Sequence, residues 1–280
     1  MSDNYVDYED FIRLRRYGSF LQNLIDTVHD FRLDLGMLKG AAALDKREPE
    51  LASVYGVLQQ GQLLWPSRLE ELRILHERLA EFLRVIKRFF GEFNTYLSNV
   101  DMRAVKTGHL PAFGGAFRFP TGPDAPQLDS MMDTVAYLHQ TVLSFLEEFA
   151  AFELRASELK EHILEVVPSV TRYMNAKILQ HGTSIPAQNG YSAADRLKDA
   201  QAKLRATEQI YQFALHSVGN LTVYSARMAA LLTLAAQALG NIQADWKASK
   251  VKMKFSLMNA RLEEIGEMTA ALQAVLKYRV

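Results

Sequence analysis

Glu158, Glu161, His162 and Glu165 fall three and four residues apart, so on a helix they share one face. Carboxylates beside an imidazole at that spacing are the raw material of a metal site. A carboxylate-bridged di-iron centre needs more: Glu-x-x-His on each of two helices and a further Glu on each of two others. No Glu-x-x-His pair occurs in the chain, and Asp26-x-x-His29, the nearest other match, stands alone. The cluster therefore reads as a solvated charged face, and no metal or other cofactor is expected. The seven histidines, at 29, 76, 109, 139, 162, 181 and 216, are scattered over different segments. His139 and His216 sit in apolar stretches and could face each other, but a buried histidine satisfied by a hydrogen bond is commoner than a ligand or a catalytic ring. Gly114-Gly115 lacks the lysine and the helix start of a phosphate loop, and no nucleophile elbow is present. Neither catalytic residues nor a small-molecule substrate are expected, and an enzyme is the least supported class.

Composition narrows the partners. The 280 residues carry 32 basic and 32 acidic side chains, which cancel, so no excess of cations is available to neutralise a nucleic acid. The local basic runs are Arg84-Val-Ile-Lys87-Arg88 and Lys247 to Lys254, which would suit acidic headgroups or acidic protein surfaces. Cysteine is absent, which removes disulfides and thiolate chemistry together. The acidic start of the chain lacks the basic-then-apolar order of a signal peptide, so a cytoplasmic product is expected, with release or export needing a route without a cleaved signal. No run of about 18 wholly apolar residues suggests a constitutive membrane span.

The elements that would position these residues are helices. Phe11, Leu14, Phe20, Leu21, Leu24, Val28, Phe31 and Leu35 recur at helical steps and predict one helix from Tyr8 to about Lys39. Helical pieces broken near Glu48-Pro49 follow, and Trp65-Pro66-Ser67 starts a core-facing helix lasting to about Val105. Residues 106–128 hold four of the eight prolines and read as a loop, or as a hairpin turning at Gly114-Gly115 with Phe117 and Phe119 on one face. A third helix is expected from about Leu128 to Gln180, interrupted or bent at Pro168. A polar loop over 181–192 closes it, and Ser192 with Asp195 forms a capping-box start for the last helix.

That last helix, without proline from about Ala193 almost to Val280, holds the most unusual stretch. Between Gln209 and Ala244 Arg227 is the one formally charged residue. Leu232, Leu239, Trp246, Met253 and Ala260 repeat every seven residues, and Leu221, Met228, Ala235 and Ile242 form a second such row. Two rows make a packing seam. The positions beside the seam are Ala, Thr, Gln and Leu, so the helix is expected to be touched on several sides. Arg227 would then meet a carboxylate, reach solvent along its stem, or lie at a subunit contact.

A long C-terminal helix with several long partners, the glycine- and phenylalanine-rich break Leu110 to Phe119, and the absence of cysteine resemble the α-helical pore-forming toxins of the cytolysin A and xenorhabdolysin type. The resemblance implies a soluble rod whose hydrophobic tongue, either Leu110 to Phe119 or Met228 to Gly240, is released into a membrane during ring assembly. The expected fold is all-α: a single-domain, elongated antiparallel bundle of long helices over 1–280, with a very long C-terminal helix and one short hairpin or loop insertion. The expected function is assembly as an oligomeric scaffold or adaptor, through self-association or a partner protein, with pore formation and a membrane-curvature module as alternatives. Leu110, Phe113, Phe117, Phe119, Arg227, Met228, Leu232, Lys250 and Lys254 are the candidate interaction or membrane-contact residues.

Overall fold

Helical spacing of leucine and phenylalanine dictates the architecture, and the computed structural model follows it. It describes residues 8–37, 48–61, 65–99, 131–187 and 190–248, together with 261, 264, 266, 267, 269–271 and 273. Every element among the described residues is helical: α1 (Tyr8–Gln22), α2 (Leu24–Asp34), a 3-10 turn (Pro49–Leu51), α3 (Ala52–Gly61), α4 (Trp65–Asn99), α5 (Met131–His181) and α6 (Ala193–Ala248). The hairpin expected around Gly114-Gly115 lies outside the described residues.

Three helix boundaries depart from the periodicity. The first helix is two, because Asn23 turns its side-chain amide onto the Ser19 carbonyl at 2.8 Å while its own N–H is shared between Ser19 and Phe20. A short amide competing for the Ser19 carbonyl loosens the turn at Asn23 without disturbing the apolar stripe. Of the two outcomes expected at Pro168, interruption does not occur: the proline lies inside α5, whose 51 residues form one helix. The last helix does not run on as one rod: Arg261 Nε lies 3.3 Å from Asp245. Sixteen residues of straight helix would hold them about 24 Å apart. Asp245 and Arg261 therefore belong to two helical segments.

The chain groups into two compact units, one from the described residues of Met1–Glu71 and Leu154–Thr222, the other from those of Leu72–Glu153 and Val223–Arg279. In the first, Leu14, Tyr17, Leu24, Val28 and Phe31 are buried with Ile163, Val166 and Met174 of α5 and Ala214, Val218 and Leu221 of α6. Gly36 ends α2 at φ +69°, its N–H bonded to the Leu33 carbonyl at 2.9 Å and that of Met37 to Arg32 at 3.0 Å. These two bonds make the left-handed cap that glycine favours.

In the second unit three long helices share one core: Leu72, Leu79, Phe82, Ile86, Phe89 and Phe93 from α4, Leu138, Phe145 and Phe149 from α5, and Met228, Leu232, Ala235, Leu239 and Ile242 from α6. Arg78 bonds both carboxylate oxygens of Glu148 at 2.7 and 3.1 Å, while Phe82 meets Phe145 at 5.4 Å between ring centroids. Contact order thus rises along α4 as it falls along α5, which makes the two antiparallel. Phe149 against Tyr224 and His139 beside Gly240 give the same reading for α5 and α6.

Candidate interaction face on the last helix

The start of α6 is fixed locally. The Asp195 N–H donates to Ser192 Oγ at 3.1 Å, and the Asp195 carboxylate accepts from the Ser192 N–H at 3.4 Å and hydroxyl at 2.7 Å. This is the reciprocal capping box, with Asp in place of the longer Glu. The Ser192 hydrogen bonds hold the Asp195 carboxyl below its ordinary pKa.

Farther along, the members of the two seven-residue rows from Leu221 to Ile242 are the buried side of the helix: Leu221, Met228, Leu232, Ala235 and Leu239 have no exposed surface, and Ile242 is 1% exposed. Met228 and Leu232, candidates for membrane or partner contact, lie inside the core of the second unit. The opposite side is open. Val223 is 49% and Leu234 55% exposed, and Ala226, Arg227, Ala230, Thr233, Gln237, Asn241 and Ala244 are exposed with them. Within the chain, α6 is thus covered on its seam side and open on the other. Alanine and glutamine sustain a helix in water without charge, so a gap in charge does not require burial. What remains is a solvent-facing stripe from 223 to 244 with Arg227 as its one charged residue. Arg227 lies on this exposed side. Leu110, Phe113, Phe117, Phe119, Lys250 and Lys254 lie outside the described residues.

The histidines sort differently from their sequence pattern. Glu158, Glu161 and Glu165 are exposed, but His162 is turned inward, with Nδ1 3.4 Å from the Tyr17 hydroxyl and Nε2 buried without a hydrogen-bond partner. Its position beside Leu159, Ile163 and Val166 places it at the edge of the buried stripe. Burial lowers its pKa, opposed by the nearby Glu165 carboxylate. His139 and His216 do not face each other: His139 sits against Gly240, and His216 lies 3.4 Å from the Asn220 amide, which itself donates to the buried Asp10 carboxylate at 3.1 and 3.2 Å.

Two further polar contacts had no sequence signal, because their partners are far apart in the chain. His76 Nδ1 and the Tyr224 hydroxyl share a 2.9 Å hydrogen bond in the second unit, and burial pushes the Tyr224 pKa up. In the first unit Arg32 Nε lies 2.9 Å from Glu48, with Tyr173 beside them. Burial first, and then the Glu48 charge, hold the Tyr173 hydroxyl well above the usual tyrosine range. Each pair joins residues of one unit, and in the second of them Arg32 Nη1 and the Tyr173 hydroxyl are buried without a hydrogen-bond partner among the described residues.

Among the described residues no helix is long and apolar enough to cross a membrane. The fold defines an all-α, bundle-like protein. Compared with protein-family models, curated proteins and solved structures, the chain matches none.

Proposed function

We propose that the protein is a non-catalytic assembly component that pairs with a second copy of itself through the open stripe of α6. The observation that carries this reading is the exposed face from Val223 to Ala244, charged at Arg227 alone, with Val223 and Leu234 half exposed among small neighbours. Two such faces meet in an antiparallel, two-fold arrangement without a row of like charges in opposition, and their alanines permit close approach. The size of the face sets the strength. Twenty-one residues of rise make a stripe about 32 Å long, and at a helix width of about 10 Å it offers about 300 Å² per partner, well under the roughly 800 Å² of a standard stable interface. Pairing through this stripe alone is therefore weak and concentration-dependent.

Sedimentation velocity over a wide concentration range tests it, with Leu234→Glu as the variant. A monomer–dimer equilibrium that the exposed substitution abolishes, at unchanged thermal stability, supports the reading. A chain that stays monomeric at millimolar concentration removes it. Dye release from liposomes together with ring formation would replace it by membrane insertion, as the toxin resemblance implies.

A further inference from the structure

An open groove of about 590 Å³ lies in the first unit between α1–α2 and α6. Its floor is apolar, with Ile12, Phe20, Ala206 and Ile210, and its charged residues are all cations: Arg15, Arg16 and Lys203. Lys203 pairs with Asp34. Arg15 and Arg16 are exposed, and among the described residues neither is paired with a carboxylate. No acidic residue lines the groove. The break at Asn23 contributes to it, since Ser19, Asn23 and Thr27 edge the groove where α1 passes into α2.

We propose that this groove binds a single-chain anionic amphiphile, a free long-chain carboxylate, with its acyl chain on the apolar floor and its headgroup on Arg15 and Arg16. Two measures favour that occupant. The volume falls within the roughly 300–1,000 Å³ of small-molecule sites. The lining from Ile12 to Thr27 spans about 22 Å of helix, more than the roughly 15 Å that one leaflet of acyl chains fills in a bilayer. Guanidinium groups suit a carboxylate because their paired N–H donors match its two oxygens. An apolar floor without a headgroup partner would take an alcohol equally well; the two unpaired arginines make the site selective for charge.

The test is displacement of a fluorescent fatty-acid analogue from the full chain by palmitate, hexadecanol and hexadecyl phosphate, each below its solubility or aggregation limit. Palmitate is expected to compete at least ten-fold better than hexadecanol. The double variant Arg15→Gln/Arg16→Gln should lose most of that advantage, and Ala206→Trp, which fills the floor from an exposed position, should block both. Circular dichroism and thermal melts establish that both variants fold. Absence of binding, equal binding of the alcohol, or insensitivity to the substitutions overturns the proposal. So does a preference for hexadecyl phosphate over palmitate, binding to vesicles of anionic phospholipid without binding of the free amphiphile, or preference for an acidic helical peptide.

Discussion

At the scale of single residues, polar groups inside the protein decide more than their number suggests, because each is costly to leave unpaired. Arg32 and Glu48 are 16% and 9% exposed as side chains and form an ion pair. Removing one partner of such a pair strands the other, so Glu48→Ala should cost about 3 kcal/mol. Arg32→Met with Glu48→Leu should cost far less than the two single changes added together. Urea unfolding of the three variants checks it. Tyr224→Phe removes the hydroxyl facing His76 and nothing else. It should cost about 1 kcal/mol, read by the same method. His162 gives a pH signature. Burial places its folded pKa below the ordinary value, which is about 6.5. The folded protein thus prefers the neutral ring; this contribution is complete above the ordinary pKa and is lost as pH falls from there through the folded pKa. The drop in melting temperature from pH 8 to pH 5 should accordingly be smaller in His162→Gln than in the parent, and an equal drop refutes the assignment.

At the scale of elements, caps and breaks set where helices stop, and they test independently of the core. Ser192→Ala removes the capping hydroxyl of α6 and should cost about 1 kcal/mol in urea unfolding. Gly36→Ala should cost more: the residue sits at φ +69°, and an added methyl would meet Pro186 Cδ at 2.7 Å. A loss of about 2 kcal/mol, combining backbone strain and overpacking, is expected. Much of this level is legible without coordinates. Ser192 with Asp195 reads as a capping box, and the rows through Leu221 and Leu232 read as a seam, since both signals lie within a few turns of one helix. Asn23 is not legible as a break, because the apolar periodicity passes through it and only its side-chain amide departs. The pairing of His76 with Tyr224 and of Tyr17 with His162 is hidden for another reason: residues so far apart in the chain meet only when helices pack. Which side of α6 its own chain leaves open is not legible, because a charge-poor face looks the same in sequence whether protein or water covers it.

At the scale of the whole molecule, the two proposed surfaces answer salt in opposite ways. The stripe from Val223 to Ala244 carries one charge, Arg227, whereas Arg15 and Arg16 supply the selectivity of the groove. Exposed charges are screened within about 8 Å at physiological ionic strength and about 3 Å at 1 M salt, while apolar burial is not weakened by salt and is strengthened by excluded anions such as sulfate. Raising sodium chloride from about 0.05 to about 0.5 M, across the range in which screening tightens, should leave the dimerisation constant within a factor of about two and weaken carboxylate binding several-fold. Replacing chloride with sulfate should tighten the dimer. Titrations of the full chain by sedimentation and by ligand displacement in the same buffers make the comparison direct. A dimer that falls apart with salt would mean that charged residues, and not the α6 stripe, hold the copies together. Carboxylate binding indifferent to salt would mean that the headgroup does not rest on the arginines.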